Sequence, residues 1–125
     1  MRNLLFIGIG GFVGSVGRYL LAGWVQQVVE RPWFPVGTLA VNVLGCLFIG
    51  LLGGLAENRQ LLTPEARLLL LVGVLGGFTT FSTFGYETFA LGRDGQTLAA
   101  MGNIAAQIVL GLGAVWIGNV FSRLI

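Results

Sequence analysis

The few charged residues of this sequence separate long apolar stretches, several of which could cross a lipid bilayer. Charges are absent from positions 3–17, 19–29, 32–56, 68–86 and 95–122. A membrane-spanning helix needs about 20 consecutive, mostly apolar residues. Only 10% of the residues are charged and 55% are hydrophobic, whereas a soluble domain carries about 25% charged residues. The sequence therefore predicts an all-α membrane protein with four transmembrane helices.

The predicted helices leave only short connections between them. Pro32 and Pro35 bracket the first connection, Thr63-Pro64-Glu65 is a helix-start signal in the second, and Gly92-Arg93-Asp94-Gly95 forms the third. The chain is interpreted as one transmembrane domain, residues 1–125. Its four helices are expected at about 3–28, 34–56, 67–90 and 97–121.

Glycine is abundant, with 21 residues, and several lie four apart inside the predicted helices. Small residues at this spacing let helix backbones approach closely in lipid, where no hydrophobic force drives association. Gly76-Gly77 is different, because two glycines before two threonines form a poor helix. We expect a break in the third helix there, with its freed backbone groups facing protein or a polar cavity. The packing pairs are Gly10 and Gly14, Gly50 and Gly54, and Gly73 and Gly77.

Composition also argues against several classes of function. The chain has no histidine and a single cysteine, Cys46, so no transition-metal ligand set is available. The net charge is only +2 and no basic run occurs, which argues against a nucleic-acid partner. No nucleophile–base pair, metal cluster or carboxylate dyad is recognisable, so an enzyme is not expected.

A polar run, positions 76–86, lies in the middle of the third predicted span. A membrane segment that gives up this much apolar character is typical of a pore wall for a small ion. Phe81 and Phe84 share one helix face, which alone indicates core packing. Aromatic ring edges are positive, however, so they attract an anion weakly, and conduction requires weak binding. The hydroxyl side chains of the run are Thr79, Thr80, Ser82, Thr83 and Tyr86.

Polar residues in the other spans leave alternatives open. Arg18 either marks a helix end and snorkels to the interface, or is a cation that attracts anions at a pore vestibule. Asn42, with Thr38 on the same face, either joins helices by hydrogen bonds or directs a donor into a pore. Asn103 and Gln107 either continue a polar track or pair with each other or another helix.

The arginines show a weak positive-inside bias. Arg31 and Arg93 lie on one side of the membrane, and four arginines lie on the other. The bias favours cytoplasmic termini, yet it is small enough for insertion in both directions. Four helices enclose little, so we expect an oligomer, for which an antiparallel dimer would supply inverted symmetry. The four arginines are Arg2, Arg59, Arg67 and Arg123.

Three segments resemble the CrcB/Fluc fluoride channels: Gly17-Arg18-Tyr19, residues 37–45, and the run from Gly76 to Phe84. The similarity covers essentially the whole chain. It implies an antiparallel, dual-topology homodimer with two pores in the cell inner membrane. It further implies passive, highly selective export of fluoride from the cytoplasm, which protects the cell from fluoride toxicity.

The resemblance also implies residue roles. Phe81 and Phe84 would line the fluoride path with their ring edges, and Arg18 would lie in the aqueous vestibule. The backbone carbonyls of Gly76 and Thr79, with their copies, would hold a structural Na⁺ at the dimer centre. Family members often carry a tyrosine and serines along the last helix, where this chain has Asn103, Gln107 and Gly111. The remaining pore residues are expected to be Asn42, Ser82, Thr83 and Thr38.

Two alternatives belong to other classes. A small multidrug-type proton-coupled cation antiporter also has about four helices and a dual-topology dimer, but it needs a carboxylate deep in the membrane. Here Glu87 is expected at the membrane interface, and the first helix has no acid at all. A non-transporting scaffold would not explain why hydroxyls concentrate at a helix break.

Overall fold

The computed structural model describes residues 1–58 and 61–125, and four segments of this part are long and apolar enough to cross a membrane. The prediction of an all-helical membrane protein with four spans is thereby confirmed. Arg59, which the sequence assigns to the side of Arg2, lies outside the described residues. The helices are α1, Arg2–Val29; α2, Val36–Asn58; α3, residues 64–78; α4, Phe81–Arg93; and α5, Thr97–Leu124.

The helix boundaries lie within a few residues of the predicted ones. The third span begins at Pro64, three residues before the expected start, because Thr63 caps it. The Thr63 hydroxyl accepts a hydrogen bond of 3.2 Å from the Ala66 N–H, and proline suits a first helical position that lacks an N–H partner. At the same end of the bundle, Arg2 forms an ion pair of 2.9 Å with Glu65.

Helices α1 and α3 pack backbone against backbone through glycine. A Cβ atom added at Gly14 would lie 2.8 Å from the Phe78 nitrogen, and one at Gly77 would lie 2.6 Å from the Gly11 oxygen. Both distances are shorter than real Cβ contacts allow. Gly10 and Gly73 meet in the same way. The small-residue packing predicted from their spacing is therefore confirmed here.

Helices α2 and α5 form the most extensive contact of the bundle. A Cβ atom at Gly50 would lie 2.9 Å from the Val115 carbonyl carbon, and one at Gly54 would lie 2.7 Å from the Ser122 Cβ. The second predicted glycine pair thus also contacts a neighbouring helix. The side chains of Ser122 and Asn103 are fully buried, so α5 presents its polar groups inward.

The third span changes its winding along its length. Leu68–Leu75 has π-helical hydrogen bonding, and α3 ends at Phe78. Thr79 (φ −81°, ψ 155°) and Thr80 (φ −150°, ψ 112°) are extended, and α4 begins at Phe81. π-Helical turns are rare and often accompany functional sites.

The non-helical residues are not the ones singled out by the sequence. Gly76 and Gly77, expected to interrupt the helix, are helical, and the two threonines after them are extended. Close packing of Gly77 against α1 holds the glycines in helical geometry. Because β-branched threonines have a lower helix propensity and favour extended backbone, the extended conformation costs them little free energy.

A glutamine closes the first connection. The Gln26 Nε2 donates to the carbonyl oxygens of Arg31 (2.8 Å) and Phe34 (3.0 Å). Its Oε1 accepts a hydrogen bond of 3.1 Å from the Gly37 N–H. One of the first amides of α2, which has no partner within its own helix, is satisfied in this way. Gln26 therefore joins α1 to the first turn of α2, where Gly37 directly precedes Thr38.

We predict that Gly14→Val destabilises the bundle by about 1–3 kcal/mol or more, because the new methyl groups have no room against α3. The matched control is Gly8→Val in the same helix, where an added Cβ meets no atom within 4 Å. Unfolding in detergent titrated with SDS measures the difference. Equal stability of the two variants would contradict the close packing of α1 on α3.

Candidate functional site

The amide of Asn42 holds the extended segment of the third span. Its Oδ1 accepts a hydrogen bond of 2.8 Å from the Thr80 N–H, and its Nδ2 donates to the Thr80 carbonyl at 3.1 Å. The same Nδ2 donates to Oε1 of Gln107 at 3.1 Å. An amide nitrogen has two hydrogens, so both are used. Asn42 thereby joins α2, the extended segment and α5, which is the interhelical role considered above.

Thr80 also organises the start of α4. Its hydroxyl oxygen accepts a hydrogen bond of 3.2 Å from the Thr83 N–H, as the cap of a helix N-terminus does. It donates to the Thr83 hydroxyl at 2.9 Å and lies 3.4 Å from the Ser82 hydroxyl. The Thr79 hydroxyl instead bonds back to the Leu75 carbonyl at 2.9 Å. Three of the predicted hydroxyl groups are therefore clustered, and that of Thr79 is directed into α3.

One cavity, called the first cavity below, contains the predicted phenylalanine pair. It has a volume of about 400 Å³, and its lining includes Phe81, Phe84, Asn42 and Gln107. The two rings meet edge to face, with centroids 5.4 Å apart and planes at 65°. Phe81 is 82% exposed in the single chain. The cavity therefore combines apolar walls with two aromatic rings and two amide-bearing residues. Gly76, Thr79 and Thr80 also line it.

The second cavity, also of about 400 Å³, contains charged groups. Arg18, Thr38, Thr83 and Glu87 line it, and Thr80 lines both cavities. The predicted pore residues are thus distributed over two cavities rather than along one. Thr38 and Thr83 lie in the charged cavity, whereas the phenylalanines and Asn42 lie in the apolar one.

Arg18 is bonded to the end of α3. Its Nε donates to the Gly77 carbonyl at 3.1 Å, within the last turn of that helix. A cation at this position is stabilised by the partial negative charge of the helix C-terminus. The side chain is half-buried and lines the second cavity. Arg18 is therefore bonded to a neighbouring helix and also contributes a cation to this cavity.

Glu87 has contacts that the sequence did not predict. The expectation that it lies at the membrane interface stays a prediction, and the structure shows that it is half-buried and lines the same cavity as Arg18. Its Oε1 accepts a hydrogen bond of 2.7 Å from the Thr38 hydroxyl. The one signal in the sequence is spacing, since Glu87 follows Thr83 by four residues and so shares its helix face.

Asn103 and Gln107 were considered as one polar stripe, yet they contact different neighbours. The Asn103 side chain is fully buried and donates to the Thr88 hydroxyl at 2.9 Å. Gln107 accepts from Asn42 and lines the first cavity. Gln107 therefore lines the first cavity, whereas Asn103 is not among the lining residues of either cavity described above.

Comparison with known proteins identifies the family. Residues 5–119 match the family described as CrcB-like protein, Camphor Resistance (CrcB). The chain belongs to this CrcB-like family. The resemblance found in the sequence is therefore confirmed.

Several CrcB-like relatives are similar along their whole length. A protein of Geobacter sulfurreducens is 49% identical over 98% of this chain and 98% of its own. Proteins of Chlorobaculum tepidum (48% identical, covering 99% of this chain and 97% of its own) and Geotalea daltonii (44% identical over both entire chains) are also similar. Each of the three is named a fluoride-specific ion channel.

We predict that Asn42→Leu lowers the free energy of unfolding by about 2 kcal/mol or more, because both backbone groups of Thr80 lose their partner. Asn103→Leu, which removes one hydrogen bond to another side chain, should cost less. Unfolding of the purified variants in detergent–SDS mixtures measures both. A smaller loss for Asn42→Leu than for Asn103→Leu would contradict its role in holding the extended segment.

Proposed function

We propose that this CrcB-like protein is a passive, selective fluoride channel that exports fluoride from the cytoplasm. Relatives named fluoride-specific ion channels, 44% to 49% identical over nearly the whole chain, support the choice of ion. The structural observation that carries the proposal is the edge-to-face pair Phe81–Phe84 in a cavity beside the extended segment. The names of these relatives therefore favour a channel over the two alternatives, a proton-coupled antiporter and an enzyme.

The cavity chemistry suits a small anion. Ring edges carry partial positive charge but hold an anion loosely, so an ion that enters can also leave. The hydroxyl groups near Thr80 and the amides of Asn42 and Gln107 would replace part of the water that fluoride sheds. Chloride is larger, so a narrow path would exclude it by size.

The membrane potential is sufficient to drive export. A potential of about 100 mV, negative inside, is worth about 2.3 kcal/mol per charge. At about 1.4 kcal/mol per tenfold, it would support a depletion of about 50-fold. The second cavity would serve as the vestibule, where the Arg18 cation attracts anions before they reach the phenylalanines. Thr38 and Thr83 would supply hydroxyl donors there, and Ser82 would add one at the start of α4.

The working unit we propose is an antiparallel, dual-topology homodimer with two pores in the cell inner membrane. One chain leaves Phe81 82% exposed, so a second copy could contact this ring. A second copy in the opposite orientation would supply the same rings from the other side. The weak arginine bias across the described spans is compatible with insertion in both directions.

A structural Na⁺ at the dimer centre is part of the same proposal. The proposed ligands are backbone carbonyl oxygens. The extended conformation of Thr79 takes its carbonyl out of the helical hydrogen-bond ladder. Thr79 and Gly76 both line the first cavity. Hard cations prefer such oxygens. These two carbonyls, with their copies, would hold Na⁺. The bound cation would make the local electrostatic potential more positive, which favours nearby anions.

The purified protein, reconstituted in liposomes loaded with fluoride or chloride, tests the function. We expect a fluoride electrode to record rapid efflux that protein-free vesicles lack, and a chloride electrode to record none. Fluoride release no faster than from protein-free vesicles would refute the proposed channel, and so would chloride release at the same rate as fluoride.

We predict that Phe81→Ile and Phe84→Ile each slow fluoride efflux at least tenfold, equivalent to about 1.4 kcal/mol, because isoleucine has no positive ring edge. Both variants should elute from a sizing column like the unmodified protein. Phe12→Ile is the control, since Phe12 is 71% exposed and lines neither cavity. Efflux from the two cavity variants at the control rate would remove the aromatic edges from the mechanism.

A further inference from the structure

The interruption between α3 and α4 separates two backbone carbonyls from their helical donors. In an α-helix each carbonyl accepts a hydrogen bond from the N–H four residues later. Here the Thr80 N–H donates to Asn42 Oδ1 instead, and the Thr83 N–H donates to the Thr80 hydroxyl oxygen. The carbonyls that these two amides would serve in a continuous helix are those of Gly76 and Thr79. Both are therefore freed by side chains that divert their donors.

Two other carbonyls of the interruption are occupied by side-chain donors. The Gly77 carbonyl accepts a hydrogen bond of 3.1 Å from Arg18 Nε, and the Thr80 carbonyl accepts one of 3.1 Å from Asn42 Nδ2. Each occupied carbonyl belongs to the residue that directly follows one with a freed carbonyl. The side chains around the interruption therefore select which of these oxygens remain for a ligand.

The two freed carbonyls suit a hard cation. Such cations prefer oxygen ligands, and a carbonyl withdrawn from a helix inside a membrane needs another partner. Gly76 and Thr79 both line the first cavity. The side chains that free their carbonyls are thus candidates for positioning the proposed Na⁺ ligands.

The Thr80 hydroxyl occupies the amide that would otherwise compete for the Thr79 carbonyl. Its oxygen accepts from the Thr83 N–H at 3.2 Å, and its hydrogen is donated to the Thr83 hydroxyl at 2.9 Å. A threonine oxygen can accept while its hydrogen is donated, so both bonds form together. Without this hydroxyl, the Thr83 N–H would lose its side-chain acceptor. Its acceptor in helical register, four residues earlier, is the Thr79 carbonyl.

We propose that Thr80 is a positioning residue for the cation site, because its hydroxyl holds the Thr83 N–H and so keeps the Thr79 carbonyl available to Na⁺. Thr80 acts through this carbonyl and not by contact of its own side chain with the cation. The inference rests on the proposed Na⁺ site and adds to it the side chain that makes one of its ligands available.

Substitutions of Thr80 separate this role from ordinary helix capping. Thr80→Val keeps the shape of the side chain but removes the hydroxyl, whereas Thr80→Ser keeps the hydroxyl. Thr97→Val, the same change at an exposed threonine of α5, is the matched control. Loss of a helix cap alone would lower the melting temperature, and it would do so to the same extent at every Na⁺ concentration.

Thermal unfolding in a nonionic detergent is measured over a range of Na⁺ concentrations, with choline replacing Na⁺ at constant ionic strength and with no fluoride present. A cation that binds only the folded protein raises its melting temperature, and the concentration dependence gives an apparent Kd. We expect Thr80→Val to raise the Kd for Na⁺ about tenfold or more. Thr80→Ser and Thr97→Val should retain the Kd of the unmodified protein.

A Thr80→Val variant that melts at a lower temperature but keeps the Kd of the unmodified protein would overturn the inference. So would a Thr80→Ser variant that binds Na⁺ as weakly as Thr80→Val. If Thr80→Val fails to fold, Thr80→Ala, which also lacks the hydroxyl, is measured in its place.

The same melts distinguish this inference from the proposals on which it rests. A melting temperature of the unmodified protein that does not rise with Na⁺ would refute the Na⁺ site and the inference together. Because the melts contain no fluoride, absence of fluoride efflux from liposomes is a separate outcome, which would refute the proposed channel.

Discussion

Two extended residues in the middle of a membrane span depend on one side-chain amide. In hydrocarbon, the N–H and carbonyl of Thr80 would each be costly to leave unpaired, and Asn42 satisfies both. With the segment held, α4 can begin at Phe81 and present its two phenylalanines to a cavity. The Thr80 hydroxyl, as the cap of α4, completes the junction. The candidate site therefore depends on the side-chain hydrogen bonds that replace the missing helical ones at this interruption.

Close packing at glycine residues brings the helices near enough for these hydrogen bonds to form. Gly14 and Gly77 allow α1 to touch the backbone of α3, which brings Arg18 to the Gly77 carbonyl at the end of that helix. On the other side, Gly50 lets α2 approach α5, so that Asn42 reaches Gln107. The polar contacts of the site are thus made between helices whose separation is determined by small residues.

Much of the architecture follows from local sequence, and the site does not. The four spans and the glycine contacts were predictable because hydropathy and four-residue spacing are properties of one segment. The burial of Glu87 could not be predicted in this way, because its hydrogen-bond partner Thr38 lies 49 positions away in the sequence. Likewise, the bond between Asn42 and Gln107 joins residues 65 positions apart. The exact non-helical residues were also misplaced, because packing of Gly77 against α1 overrides the low helix propensity of glycine.

Passive fluoride conduction through this site is the central claim, and the reversal potential of the current tests it most directly. In a planar bilayer containing the purified protein, a tenfold fluoride gradient should set a reversal potential of about 59 mV, the value for one charge. Gradients of chloride or of protons should leave that potential unchanged. A reversal potential that follows chloride, or one that shifts with the proton gradient as coupled transport requires, would contradict the account.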